Sequence, residues 1–515
     1  MDTPTWASAS VTAAALGPSV LYVTGAFTAR RGDAFRGAVP LAGGALALAL
    51  AVLVGRCLGV APVAAGWLRL DAVGAAMLPL VTLLGLVIVR FSRTALAGEP
   101  GLQRYVRSLF AALAAVSVLV TTRHLGVLAA AGTATSLALH PLLTFYAALT
   151  AAQVAAHKKF LVSRLADACL VGALLLVRAH VGSLDLDALD AWCAAHPSMP
   201  TAMHVAAALL VAGAALKSAQ LPFHGWLAQV MEAPTPVSAL LHAGVVNLGG
   251  LLLLRTAPLV ARSPGAQGLL LAVSLGTTVA AALVMTTRVS VKVALAWSTC
   301  AQMGMMLVQC ALGAWHLALL HLVAHSLYKA HAFLSAGRAV DDWWVRALSA
   351  RPRPVHPARV GAAALATLAV LAAALRATGS HDVFAAPLAV VLALSLAPSL
   401  ARSPSLPSVL RAAVVTALYL AGHAAARKLV SLPVGDAAGA RSIVVAGALG
   451  LLFAAQTWLQ WRPAGALAAV LHGPLFAGLH LDELFTRWTF WCWPLRLPKR
   501  SAVGGGAALV GAQEA

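Results

Sequence analysis

Apolar runs of about twenty residues, each closed by a short polar stretch, repeat from near residue 10 to near residue 460. As a helix rising 1.5 Å per residue, such a run crosses the roughly 30 Å of a bilayer's hydrocarbon. Only helices and closed barrels satisfy every backbone group in lipid, and these runs lack the strict alternation of barrel strands. The pattern predicts spans near 10–28, 38–56, 69–90, 106–122, 124–148, 161–180, 201–222, 237–255, 267–287, 290–312, 315–337, 358–376, 383–400, 408–426 and 441–459. The expected fold is an all-α polytopic membrane protein of about 15 transmembrane helices, with broken helices at its core.

The stretches between the runs orient it. "ARRGDAFR" follows the first run, "RFSR" and "QRYVR" the third, and "HKKF" the fifth, while "GSLDLDALDAW" follows the sixth. Because cytoplasmic loops are rich in Lys and Arg, this alternation predicts an outside N-terminus, basic loops in the cytoplasm and the acidic loop outside. Residues 1–460 form the predicted bundle. Residues 464–480 are expected to stay on the cytoplasmic side, so that the C-terminus is cytoplasmic. In "LDELFTRWTFWCWPLRLPKR", Leu481, Leu484, Phe485 and Trp488 recur at helical spacing with Asp482, Glu483 and Arg487 off that face, which predicts an amphipathic interfacial segment over 461–500. The tail 501–515 is expected to be disordered.

Composition supports the membrane assignment: 61% of the 515 residues are hydrophobic and 10% charged, against about a quarter charged in soluble domains. The formal net charge of +20 is spread between apolar runs and forms no single patch, which speaks for the positive-inside bias and against nucleic acid. The six cysteines form no C-x-x-C pair and no cluster with His at metal spacing, so no zinc or iron–sulfur site is expected in this chain. The opening "MDTPTWASAS" lacks the basic start of a cleaved leader, which leaves targeting to the first span.

Ionisable side chains within spans cost about 2.5–3.5 kcal/mol on insertion scales and by default mark pathways. Three groups stand out. In "AALKSAQLPFHGW", Lys217 sits at the end of an apolar run that resumes after Pro222 and His224; it could snorkel to an interface or, held in a dry site, trade protons. In "MEAPTPVSALLHAGVVNLGG", Glu232 precedes the turn at Pro234 and Pro236, and His242 lies inside the next span. In "HLALLHLVAHSLYKAHAF", His321, His325 and Lys329 stand at i, i+4 and i+8, one helix face over roughly 12 Å. That row suits a proton relay, since His titrates near neutral pH; packing alone, or a metal lacking an evident third ligand, are the other readings. Lys292 opens the tenth span, either as the relay's cytoplasmic end or as a positive-inside anchor. No phosphate loop, nucleophile elbow or carboxylate pair appears, so no catalytic site is expected.

These residues also carry a resemblance. "KSAQLPFHGWLAQVMEAPTPVSALLHAG", "SVKVALAWSTCAQMGMM" and "HLVAHSLYKAHAFLSAG", in that order, resemble the signature of the antiporter-like subunits of respiratory complex I and of Mrp-type cation/proton antiporters. "AHKKFLVSRLAD" looks like the segment entering that family's sixth helix, and the likeness covers roughly residues 70–340. It implies relay roles for Lys217, His242, His321, His325 and Lys329, with Arg164 and Asp167 in support. There are departures. The family usually pairs its first lysine with a glutamate on the fifth span, where the aligned residue is Thr133, and spans 358–376 and 383–400 offer no central lysine or glutamate. With "TSLALHPLLTFY" and "LHLDELFTRWTFWCWP", the chain looks most like the DabB-type membrane subunits of the DAB inorganic carbon accumulation complex. That branch implies a bacterial inner-membrane protein conducting protons or sodium ions beside a large soluble DabA-like partner. The partner would hold a zinc site similar to that of β-carbonic anhydrases, and cation flow would drive conversion of carbon dioxide to bicarbonate. A proton-pumping subunit of a complex I-like or hydrogenase redox assembly, and a non-conducting membrane anchor, are the alternatives.

Overall fold

The structure, a computed structural model, describes residues 5–29, 34–59, 64–65, 67–146, 148–348, 355–377, 385–403, 405–429 and 438–494. The expected disordered tail 501–515 lies outside the described residues, as do 495–500 of the expected interfacial segment and 30–33 of "ARRGDAFR".

Helices α1 (Thr5–Thr28) and α2 (Ala38–Cys57) precede a minimal antiparallel hairpin of β1 (Ala64–Ala65) and β2 (Leu68–Arg69), with Ala64 opposite Arg69 and Ala65 opposite Leu68. Next come α3 (Ala72–Ala95), α4 (Leu102–Thr121), α5 (Leu125–Leu143), α6 (Thr150–Val181), the short α7 (Leu186–Ala195) and α8 (Thr201–Lys217). A broken region follows: α9 (Gly225–Ala228), α10 (Thr235–Ala243), α11 (Leu248–Arg255) and α12 (Ala257–Ala261). Helices α13 (Pro264–Met285), α14 (Val291–Ala311) and α15 (Trp315–Leu334) complete the centre. The remainder is α16 (Ala339–Leu348), α17 (Pro357–Ala377), α18 (Ala385–Arg402), α19 (Leu406–Leu429), α20 (Ala438–Trp461), α21 (Ala466–Phe476) and α22 (Glu483–Cys492).

Among the described residues ten helical spans are long and apolar enough to cross a membrane. Helices α1, α8, α15, α17 and α18 run packed beside them, which accords with the expected fifteen crossings. Burial grades from centre to rim: the broken span Thr235–Arg255 is 94% buried, whereas Leu406–Lys428 is 6% buried. The polar residues of the broken span are therefore deep in protein, and α19 presents its apolar sides outward.

Two expectations shift. "HKKF" is not a loop, because α6 begins at Thr150 rather than near 161 and carries Lys158 and Lys159 inward, both buried. The predicted span 201–222 stops as helix at Lys217, and 237–255 divides at Gly244. The segment α21 has 11 residues, too few to cross the hydrocarbon.

One end of the bundle gathers carboxylates among arginines. There the N-terminus of α3, the α4–α5 turn, α7 and the C-terminus of α11 meet. Asp71 caps α3 through the Gly74 N–H at 2.8 Å, receives Arg123 at 3.1 Å and pairs with the buried Arg255. Arg123 also reaches Asp187 at 2.9 Å and Asp190 at 2.8 Å. Burial alone would raise the Asp71 carboxyl, but Arg255, the Gly74 N–H and Arg123 outweigh it and hold the group below the ordinary carboxylate value. Burial dominates at Asp190 and pushes its carboxyl up.

The opposite, basic end is closed by the C-terminal helices. Lys158, 0% exposed, donates to Gln229 Oε1 at 2.9 Å, Asp482 Oδ2 at 2.5 Å and Thr486 Oγ1 at 2.6 Å. Gln229 Nε2 donates to the same carboxylate oxygen at 2.6 Å. Phe485 turns inward onto Phe223, ring centroids 5.4 Å apart, while Leu484 is exposed. The approach depends on Gly225: a Cβ there would lie 1.7 Å from Asp482 Oδ1.

Two predictions follow from these ends. Asp71→Asn leaves the buried Arg255 without its counter-charge and should cost about 3 kcal/mol, read as a fall in the temperature of detergent-solubilised unfolding. Because the folded carboxyl is depressed, its stabilisation is present above the unfolded value of about 3.9 and fades as pH falls through the lower folded value. The variant should lose that part of the wild-type acid sensitivity. Gly225→Ala should expel Asp482 and free the C-terminal segment, seen as faster reaction with a thiol reagent of a cysteine placed at the buried Thr489 (Thr489→Cys), with the exposed Cys492 as internal control; unchanged reactivity at 489 would contradict the docking.

Candidate functional site

The site is built on two helices that stop inside the bundle. Helix α8 ends at Lys217; Ala219 has a positive φ of 50° and Pro222 has no N–H, so the helix cannot continue. The single turn of α9 and the prolines Pro234 and Pro236 restart it as α10, which breaks again at Gly244. Broken helices persist at membrane depth only where side chains take over the freed backbone groups, and they do so here. Thr277 Oγ1 accepts from the Leu221 N–H at 3.1 Å, and Gln220 Nε2 donates to the Ser218 carbonyl at 2.8 Å. Ser218 Oγ donates to the Val246 carbonyl at 3.1 Å, and Asn247 Nδ2 donates to the Ala243 carbonyl at 2.8 Å. Gly249 lets α11 lie against this break, since a Cβ there would sit 2.2 Å from both Ala214 O and Ser218 Oγ.

At the first stop, Lys217 Nζ donates to Asp167 Oδ1 on α6 at 2.9 Å, and Arg164 pairs with Asp167 Oδ2 at 2.7 Å. The acid absent from the fifth span thus comes from the sixth. Helix α5 faces Lys217 with glycine, and a Cβ on Gly132 would lie 3.8 Å from Lys217 Nζ. About two turns earlier on α6, the buried Lys159 donates to Ser136 Oγ at 2.7 Å and Ser136 O at 3.1 Å on α5. Lys159 was hidden in the basic "HKKF", although it shares a spacing with Val162, Ala166, Leu170 and Ala173 that marks one buried helix face.

The second stop gathers His242, His325 and Lys329 against one stripe of α14. His242 Nδ1 lies 3.1 Å from Thr299 Oγ1, and its ring stacks on Phe333 with centroids 4.3 Å apart. Lys329 Nζ donates to Ser298 Oγ at 2.8 Å and to the Leu295 carbonyl at 3.2 Å. His325 Nδ1 is 2.7 Å from Gln302 Oε1, and its Nε2 is 3.1 Å from the His242 carbonyl. A neutral imidazole cannot donate from both nitrogens. His325 is therefore either charged in this arrangement or faces a Gln302 amide turned by 180°, two states separated by one proton and one amide flip. Ser298, Thr299 and Gln302 went unnoticed in "WSTCAQMGMM", though with Lys292 and Leu295 they repeat at three- and four-residue steps.

The other expected residues divide. His321 is half-buried, its ring centroid 6.1 Å from that of His325, and it lines a cavity of about 760 Å³. Lys292 Nζ donates to Thr235 Oγ1 at 3.0 Å at the basic end. His224 is buried, 3.3 Å from the Pro222 carbonyl and against Trp297, and lines a separate cavity of about 530 Å³ beside Asp482. Glu232 is exposed at the turn before α10 and joins neither group. Between the two stops stand Ser218, Asn247 and Ser326, with Asn247 Nδ2 donating to Ser326 Oγ at 2.7 Å. His242 Nε2, Asn247 Oδ1 and Gln220 Oε1 are buried without a hydrogen-bond partner. Among the described residues no three His, Cys, Asp or Glu side chains converge as a metal site.

Comparison with known proteins sets this geometry in a family. Residues 130–348 match the family described as "NADH:quinone oxidoreductase/Mrp antiporter, TM". A protein of Hydrogenovibrio crunogenus named "Probable inorganic carbon transporter subunit DabB" is 40% identical over 442 residues, 84% of this chain and 85% of that one. NADH-quinone oxidoreductase subunit L of Escherichia coli is 33% identical over 275 residues, 53% of this chain and 45% of that one. Among solved structures, a chain of the Mrp complex from a Dietzia species superposes with a TM-score of 0.57 at 25% identity, covering 93% of this chain and 51% of that one. With the broken helices, the buried amines and imidazoles and a relative matched over most of both lengths, the chain belongs to the DabB family, within the antiporter-like membrane subunits shared by NADH:quinone oxidoreductases and Mrp antiporters.

Proposed function

We propose that this chain is the cation-conducting membrane subunit of an inorganic carbon uptake assembly, and that the cation is the proton. The observation that carries this reading is the pairing of buried ionisable groups with interrupted helices: Lys217 with Asp167 at one stop, His242, His325 and Lys329 at the other. Charged groups at that depth are expensive and are tolerated where they serve a path. The buried, unpartnered His242 Nε2, Asn247 Oδ1 and Gln220 Oε1 call for water as their partner, which would join the two stops as a hydrogen-bonded thread. Arg164 weakens the hold of Asp167 on Lys217 by sharing the carboxylate, so a proton can leave the amine without leaving a bare charge. Lys292 would serve the row from the basic end, with His224 lining the neighbouring mouth.

The name of the Hydrogenovibrio relative supports inorganic carbon as the cargo of the assembly. In this reading a large soluble DabA-like partner holds zinc and converts carbon dioxide to bicarbonate, and proton movement through this chain biases the partner's shape. In this reading the chain itself needs no cofactor. The basic end faces the cytoplasm, with the N-terminus outside and the C-terminus inside, in a bacterial inner membrane.

Lys217→Ala and Lys329→Ala should each abolish carbon uptake while the complex still assembles, and Asp167→Asn should lower it. Proton flux into liposomes holding the complex should fall in parallel. Normal uptake by both lysine variants would leave only the anchor role. Copurification with flavin and iron–sulfur subunits would point to a redox pump.

A further inference from the structure

His321 stands at the end of the histidine row and faces away from it, into the 760 Å³ cavity between α13–α15 and the later helices. At about 30 Å³ per water, that volume holds on the order of two dozen molecules. Its extent follows from the helices that line it. Ser395 and Arg402 lie on the second half of α18, Gln456, Thr457 and Gln460 on the last turns of α20, and Pro463 just beyond. All of these approach the basic end, as does Val360 in the first turn of α17. The cavity therefore runs from His321 in mid-bundle to the basic end.

Its walls show what it suits. Helix α20 is only 11% buried within the bundle, and an outward-facing helix gains nothing from polar side chains in lipid. Yet Gln456, Thr457 and Gln460 fall on the strip that faces the cavity. Across it, Gln302 lines the same space and contacts His325 Nδ1 at 2.7 Å, so cavity and row share one residue. Among the described residues no carboxylate lines the cavity, and the lining includes the charged side chain of Arg402. A sodium ion would have to trade its hydration for oxygen ligands past a positive guanidinium. A proton meets the same guanidinium, but it passes along hydrogen-bonded water and sheds no hydration shell.

We propose that this cavity is a water-filled proton vestibule that connects His321 to the basic end of the bundle, a second mouth for the row on the same side as Lys292. His321 accepts a proton from a cavity water at one ring nitrogen and releases the proton of the other to a water leading to His325; each passage leaves the other neutral tautomer, which a flip of the ring resets. The absence of a central lysine or glutamate on α17 and α18 leaves His321 as the row's last ionisable group on this side. The inference rests on the conducting role proposed above.

Thr457 tests it, because the residue lines the cavity and belongs to neither stop. Thr457→Cys in the full complex is exposed to a charged, membrane-impermeant thiol reagent, in inverted vesicles and in right-side-out ones, with labelling at position 457 read by peptide mass. Labelling is expected from the cytoplasmic face alone, and the labelled complex should lose about tenfold or more in proton flux, as a dewetted constriction does. Thr457→Trp, which narrows the cavity where α20 nears the basic end, should lower flux with assembly intact. Labelling from the other face only, or none, as for a lipid-filled groove, overturns the proposal. So does full flux in an assembled Thr457→Trp complex. Should the Trp variant fail to assemble, the labelling pattern alone decides. Loss of flux in Lys217→Ala combined with full flux in Thr457→Trp would sink the vestibule and spare the conducting role; full flux in both would sink the role itself.

Discussion

A helix that stops in the middle of a bilayer strands backbone groups where solvent cannot reach them, at several kcal/mol apiece. The bundle is organised around two such stops, after Lys217 and at Gly244. Ser218, Gln220, Asn247, Thr277 and the ring of His325 are placed to take up the freed carbonyls and N–H groups. The same side chains that repair the backbone are the ones that make the interior polar. Structure and chemistry share a cause here: once the helices are interrupted, the centre must be lined with donors and acceptors, and amines and imidazoles can then be held there.

The two stops treat charge differently. Lys217 has a carboxylate within 2.9 Å, and that carboxylate is shared with Arg164, so the group carries a formal excess of one positive charge when both cations are protonated. Lys329 meets a hydroxyl and a carbonyl, and among the described residues no acid pairs with it. A charge balanced by an ion and a charge balanced by dipoles differ in how much each loses when a proton departs. The first stop sets its amine against a carboxylate; the second surrounds its amine with dipoles. Movement of one proton between them changes the field at both.

Much of this was visible in the amino-acid sequence, and the exceptions have physical reasons. The prolines at 222, 234 and 236 and the glycines at 244 and 249 announce interruptions, and the i, i+4, i+8 spacing of His321, His325 and Lys329 fixes them on one face of α15. Lys158 and Lys159 were misplaced because two adjacent lysines at the edge of an apolar run look like a cytoplasmic loop, and only the partners waiting at Ser136 and Asp482 make their burial affordable. The stripe of Ser298, Thr299 and Gln302 was passed over because small polar residues in a span commonly pack without further consequence. The acid that meets Lys217 could be named from α6, but its pairing, across 50 residues, is a property of packing.

The distance in sequence between Lys158 and Asp482 has a bearing on biogenesis. The carboxylate is made 324 residues after the amine it neutralises, roughly 15 to 65 s at ordinary rates of translation. Throughout that interval α6 is already in the membrane with an unbalanced lysine near its start, and its neighbours can settle only provisionally. Completion of this end of the molecule therefore waits on the synthesis of α22, and one corner is finished late.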